Sequence, residues 1–323
     1  MLTTGGTIFS ESNSRLDLFN YKSGQDKKNL VLNQIPEVKD IANLHVEQID
    51  NISSCDIVPY HWNLLKDKVN GYISKPEFDG VVITHGTNTL EETAYFLHLT
   101  CDTEKPIVLV GSQRPPSALS TDATLNLLNA VRLAASPNAI GKGILVMLND
   151  EINSAREVTK TNTYRVEAFQ SGQLGFLGYV DVDGMVCFYR ETTKIHTSRS
   201  IFKMVDTTNL NKVEIVYSYA GADGGLIQLL FNTDCKGIVI AGTGAGKFSQ
   251  KECEALIKAR ERGIHVVRSN RVGNGRVVPL KQYEPYGFIS ADNLLPQKAR
   301  ILLMLALKVT DNVGEIQEIF NKY

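Results

Sequence analysis

Long apolar runs are missing from this chain. No window of about 18 apolar residues occurs in its 323 residues, which leaves no membrane-spanning helix to place. A basic segment followed by an apolar stretch is also lacking near Met1, so no secretory leader is legible and the compartment expected is the cytoplasm. Charge of one sign is not in excess: 34 basic residues stand against 35 acidic ones, for a net charge of −1. Such a balance gives no electrostatic footprint for nucleic acid or an anionic membrane and suits a small neutral or zwitterionic ligand. Cysteine is sparse. Cys55, Cys101, Cys187, Cys235 and Cys253 are odd in number and never spaced as CxxC, which argues against a zinc site and a disulfide framework. The six histidines form no HExxH-type pair, so a metal enzyme is not expected. Internal repeats and low-complexity tracts are absent as well.

What is present is the composition of a globular protein, 43% hydrophobic and 21% charged, long enough for about two domains. Short aliphatic runs at 80–83, 106–110, 143–147 and 237–240 alternate with helical patterns at Thr89–Leu99, Asp122–Ala135 and Gln250–Glu261. Runs apolar on both faces suit buried parallel strands, and the alternation predicts an α/β fold: a larger N-terminal, mostly parallel sheet flanked by helices and a smaller C-terminal α/β domain. From about Tyr189 to Leu210 the pattern dissolves into polar residues. The domains are therefore placed at 1–189 and 212–323, with a linker at 190–211. Strands resume at Val213–Tyr217 and near Val266-Val267, and the last helix is expected from about Pro296 to Lys308.

Three segments carry chemistry-bearing residues. Thr3-Thr4-Gly5-Gly6-Thr7-Ile8 pairs two glycines, which permit a tight turn and close backbone approach, with a hydroxyl on Thr7. Val81-Val82-Ile83-Thr84-His85-Gly86-Thr87-Asn88-Thr89-Leu90-Glu91-Glu92 runs from a buried strand through polar residues into a helix. Thr89 and Glu92 have capping-box spacing, and the helix N-terminus would present free N–H groups to a carboxylate or an oxyanion. Arg156-Glu157-Val158-Thr159-Lys160-Thr161-Asn162-Thr163 sets a lysine among hydroxyls. Taken singly, each also reads as turn, cap or solvated surface.

Taken together, in this order and spacing, TTGGTI, VVITHGTNTLEETAYFL and REVTKTNT resemble the bacterial-type L-asparaginase and glutaminase-asparaginase family. The resemblance extends through Asn51-Ile52-Ser53-Ser54-Cys55-Asp56, Val110-Gly111-Ser112-Gln113-Arg114-Pro115, Val267-Arg268-Ser269-Asn270-Arg271-Val272 and Leu295–Leu303. It implies a two-domain α/β fold whose C-terminal part is flavodoxin-like, and a homotetramer of intimate dimers with each site completed by a partner subunit. It also implies hydrolysis of a side-chain amide to a carboxylate and ammonia without cofactor or metal. Thr7 matches the nucleophile, Tyr21 the tyrosine of the closing loop, and Thr87 and Lys160 the second threonine and its lysine. Ser54 matches a residue that holds the substrate α-carboxylate, and the Ser112 backbone matches the contact to the side-chain amide. A hydroxyl nucleophile needs a nearby base, and Lys160 serves when desolvation lets it shed its proton or when it polarises Thr87. Backbone N–H groups near the glycine turn suit the oxyanion.

The chain departs from the family at positions facing the substrate amino group. Asn88 stands where the family carries an aspartate, and Cys55 replaces a glutamine. Gly244-Ala245-Gly246-Lys247 replaces a pattern ending in asparagine or serine, on the loop given by the partner subunit. The segment from Gly273 to Tyr286 is shorter than in the family, and Glu284 is one candidate for the acidic residue it normally supplies. Met1-Leu2 lies close before the glycine turn, which predicts a short first strand. Losing one partner of a buried charge pair costs roughly 2–5 kcal/mol. The expectation is thus an L-asparaginase weakened at amino-group recognition. A homologue acting on an amide without a free α-amino group and a non-catalytic binding protein are the alternatives. Gly242-Thr243-Gly244-Ala245-Gly246-Lys247 fails the Walker pattern, because three residues separate the outer glycines and Phe248 follows the lysine.

Overall fold

Leu2–Thr3 (β1) is a strand of two residues held on both sides. Leu2 pairs in parallel with Glu47 of β2 (Glu47–Gln48) and with Ile83 of β3 (Val81–Thr84). The parallel series continues outward from β3 through β4 (Ile107–Val110) to β5 (Ile144–Leu148). It then turns antiparallel through β6 (Glu151–Ser154), β7 (Gly178–Val180) and β8 (Val186–Phe188). The eight strands lie in the order β8-β7-β6-β5-β4-β3-β1-β2. In the computed structural model the described residues are 1–23 and 28–323, and the chain divides into two compact units, Met1–Lys203 and Met204–Tyr323.

The sequence dictates this sheet through its aliphatic runs. Every residue of β3, β4 and β5 is buried, as strands covered on both faces must be. Val82, Val108, Val110, Leu145 and Met147 share one core with Leu127, Ala130, Val131 and Leu133 of helix Ala123–Ala135. Helices Pro59–Ile73 and Leu90–Thr100 pack on each other, with Trp62 stacked on Phe96 at 5.2 Å between ring centroids. Pro59 opens the first of these at the position where a missing N–H costs nothing.

The second unit is a four-stranded parallel sheet in sequence order, β9 (Val213–Tyr217), β10 (Gly237–Gly242), β11 (His265–Asn270) and β12 (Ile289–Ser290). Helix Gln250–Glu261 begins with a reciprocal capping box: Glu252 N–H donates to Ser249 Oγ and Ser249 N–H donates to Glu252 Oε2. The fold class is as read from the sequence. One helix differs: Pro296–Ala306 is followed by a further helix, Val313–Lys322, capped by Asn312 Oδ1, which accepts from Gly314 N and Glu315 N. Burial of Ile316, Ile319 and Phe320 along one face stabilises it. The division of the chain falls between Lys203 and Met204, inside the polar stretch 190–211.

Among the described residues, no helix is long and apolar enough to cross a membrane, and no group of three or more His, Cys, Asp or Glu is placed to hold a metal ion.

Candidate active site

Strand order locates the site before any side chain is considered. β1 lies between β2 and β3, so the chain leaves β1 toward one side of the sheet and returns on the other. Ligands in such sheets bind beyond the carboxyl ends of the strands, where the order reverses. The loops leaving β1, β2, β3 and β4 carry Gly6 and Thr7, Ser53 and Ser54, Gly86–Asn88, and Gln113, and all of these line a cavity of about 340 Å³. Lys160, Tyr21, Thr163 and Tyr164 complete its polar wall. A larger groove of about 660 Å³ lies at the amino ends of the strands, by Met1, His45 and Gly80. It collects none of the paired hydroxyls.

Thr7 opens a 3-10 turn directly after two glycines with φ of 101° and 89°. A Cβ on Gly6 would lie 2.5 Å from the Gly86 Cα, and one on Gly86 would lie 2.7 Å from Ser54 Oγ. Three loops are thus pressed together at places where glycine alone fits. Thr7 is 8% exposed, and its Oγ1 shares a 2.7 Å hydrogen bond with the Tyr21 hydroxyl.

The loop after β3 is pinned by a buried relay. Trp62 Nε1 donates to Thr93 Oγ1 at 3.0 Å, Thr93 and His85 Nε2 are 2.9 Å apart, and His85 Nδ1 lies 2.7 Å from the Gly86 carbonyl. The Gly86 carbonyl only accepts, so His85 Nδ1 donates to it, and in the neutral ring Nε2 accepts from the Thr93 hydroxyl, which itself accepts from the indole N–H. Burial holds the His85 pKa down at about 4, which keeps the ring neutral and the relay in this sense.

Lys160 Nζ donates to Thr87 Oγ1 at 2.8 Å. Burial lowers the pKa of this lysine, and the nearby Cys55 opposes that shift. Its strand, Thr159–Lys160, pairs with Phe169–Gln170, while Glu91 Oε1 accepts from Thr159 Oγ1 at 2.9 Å and from Lys160 N at 3.2 Å. Ser54 Oγ accepts from Asn88 N at 3.1 Å, and Asn88 Nδ2 donates to Cys55 Sγ at 3.0 Å.

One expectation is corrected. Thr89 makes no capping-box bond; its hydroxyl donates to the Ser54 carbonyl at 2.6 Å, tying the loop after β2 to the helix start. Further along, the Ser112 side chain is fully buried and donates to the Arg114 carbonyl at 2.9 Å, and the neighbouring Gln113 lines the cavity. In the second unit, Lys247 and Glu284 are exposed. Thr243 and Lys247 close the glycine loop by a backbone pair of 2.7 and 2.9 Å, and the next helix starts only at Gln250, so no phosphate cradle forms. Glu91 and Thr93 carry no legible signal in the sequence, since their partners Thr159 and Trp62 lie far away in the chain.

Residues 1–215 match the family description "Asparaginase, N-terminal", and residues 212–320 match "Glutaminase/Asparaginase C-terminal domain". The chain belongs to the asparaginase family. Among its relatives, L-asparaginase 2 of Bacillus subtilis is 43% identical over all of this chain and 86% of its own length. L-asparaginase 2 of Escherichia coli is 42% identical over all of this chain and 92% of its own. The crystal structure of a probable cytoplasmic L-asparaginase from Campylobacter jejuni superposes with a TM-score of 0.95 at 44% identity, covering all of this chain and 98% of that one. This asparaginase-family chain therefore shares its α/β fold with that solved relative.

Proposed function

We propose that this chain hydrolyses the side-chain amide of L-asparagine to L-aspartate and ammonia. The observation that carries the reading is the gathering of two hydroxyls in one cavity, each with its own proton partner: Thr7 with Tyr21 and Thr87 with Lys160. Thr7 Oγ1 attacks the amide carbon and its proton passes through Tyr21, while backbone N–H groups around the glycine turn receive the oxyanion. The leaving nitrogen takes a proton and departs as ammonia, leaving an ester on Thr7. Thr87, polarised by Lys160, activates the water that cleaves this ester and restores the Thr7 hydroxyl. Ser54 receives the substrate α-carboxylate, the Ser112 backbone meets the side-chain amide, and Asn88 and Cys55 face the amino group. The active form is a homotetramer of intimate dimers.

A second reading has its own support. No described residue lining the 340 Å³ cavity is a carboxylate, so an amide without a free α-ammonium is a fitting alternative substrate. The deciding assay is ammonia release from L-asparagine, L-glutamine and deaminated or N-blocked amides, with Thr7→Ala as blank. Release from L-asparagine that needs Thr7 supports the first reading; release from blocked amides alone supports the second. Silence toward all of them removes both.

A further inference from the structure

Resting on that reading for its kinetic readout, we propose that Glu91 is a positioning residue that fixes Lys160 on Thr87. Glu91 stands in the first turn of helix Leu90–Thr100 and is 6% exposed. Its Oε1 takes two hydrogen bonds from the strand that carries the lysine, one from the Thr159 hydroxyl and one from the Lys160 backbone N–H. The lysine side chain then reaches back to Thr87, which lies on the loop entering the same helix. The contacts close a ring: along the chain from Thr87 to Glu91, across to the Lys160 backbone, and along the lysine side chain back to Thr87.

The ring adds a tie to the helix that the pairing of Lys160 with Phe169 does not supply. Thr159–Lys160 is a strand of two residues, and a lysine side chain is flexible along its four-carbon stem. Anchoring the backbone at Lys160 to the helix that also sets Thr87 makes the Nζ to Oγ1 distance a property of one rigid element. Sites on rigid elements hold their geometry better than sites on loops. For these two bonds an acceptor oxygen suffices, because the donors to Oε1, a hydroxyl and a backbone amide, are neutral. Glutamine supplies that oxygen and leucine does not. Glu91 does not line the 340 Å³ cavity, so its loss falls on turnover more than on substrate affinity.

The test compares Glu91→Gln, Glu91→Leu and the milder Thr159→Val, each checked for folding by thermal melting. A misplacement of about 1 Å costs on the order of 100-fold in rate. Glu91→Leu is therefore expected to lower kcat by about that factor with KM within about 3-fold, Thr159→Val by about 10-fold, and Glu91→Gln to stay within about 3-fold of the parent. A second readout needs no turnover: the pH titration of the Lys160 side chain in 13C-lysine-labelled protein, assigned with Lys160→Arg. In Glu91→Leu the lysine regains water and titrates higher than in the parent, while in Glu91→Gln it does not move. The proposal is overturned if Glu91→Leu leaves kcat and the titration in place, or if Glu91→Gln falls as far as Glu91→Leu. Should Glu91→Leu not fold, Thr159→Val decides, and an unchanged kcat and titration there overturn it. If the parent releases no ammonia, the amidase reading fails by itself and the titration still decides on Glu91.

Discussion

Gly6 and Gly86 stand so close that a Cβ on the first would lie 2.5 Å from the Cα of the second. One of them precedes Thr7 and the other precedes Thr87, so the contact sets the spacing of the two hydroxyl-bearing loops. Gly6 also holds φ at 89°, a conformation other residues rarely adopt. Gly6→Ala is expected to lower kcat by about 100-fold or more, since a shift of about 1 Å at the nucleophile costs that much. Ammonia release at saturating L-asparagine checks it, and a variant as fast as the parent would remove the spacing role.

Asn88→Asp introduces a carboxylate beside Cys55, where Asn88 Nδ2 meets the thiol. A charge pair with the substrate α-ammonium is worth roughly 2–5 kcal/mol, so KM for L-asparagine should fall by about 30-fold or more. KM for an amide without an α-amino group should not fall. Parallel KM measurements on the two substrates separate the effects, and an equal change in both would count against a role in amino-group recognition.

In the proposed reaction Lys160 serves as a base only after losing its proton, so activity is expected to rise with pH through a pKa that burial has already lowered. Cys55 pushes that pKa upward. Cys55→Ser should consequently move the rising limb of the kcat profile to lower pH, and Asn88→Asp, by adding negative charge, to higher pH. Lys160→Met should flatten the limb and cost about 10²–10⁴ in kcat. A limb that stays put in all three would place the titrating group elsewhere.

His85 titrates near 4 in the folded chain against an ordinary 6.5. The unfolded chain therefore binds the proton first, and the contribution of His85 is present above about pH 6.5 and lost as the pH falls toward 4. The full loss is on the order of 3 kcal/mol. Urea unfolding at about pH 7 and about pH 4.5 should show a larger drop in the parent than in His85→Asn, which has no proton to gain. Equal drops would mean the ring is not sealed.

Lys105 Nζ donates to the carbonyls of Ile73, Lys75 and Phe78 at 3.0, 3.0 and 2.7 Å, closing the end of helix Pro59–Ile73. Lys105→Met keeps the apolar stem and removes all three bonds. A loss of roughly 1–3 kcal/mol in unfolding free energy is expected, with kcat unaffected.

Much of this molecule is legible in its residue order. Aliphatic runs at 81–84, 107–110 and 144–148 set buried strands because nothing else lets both faces leave water, and the spacing of TTGGTI, THGTNT and VTKTNT marks the loops that carry Thr7, Thr87 and Lys160. Local patterns determine local structure. Where they failed, a distant partner had won: the Thr89 hydroxyl serves the Ser54 carbonyl, 35 residues away, in place of its own helix end.

The tertiary structure alone decided which side chains meet. Glu91 reads from the sequence as one more acidic residue in a helix's first turn, and becomes a brace only because Thr159 and Lys160 arrive from nearly 70 residues further on. His85 and Thr93 read as a polar loop residue and a helix residue until Trp62 joins them into a directed relay. Hydrogen bonds between residues far apart leave no periodicity in the chain; their geometry exists only once strand order has brought the loops together.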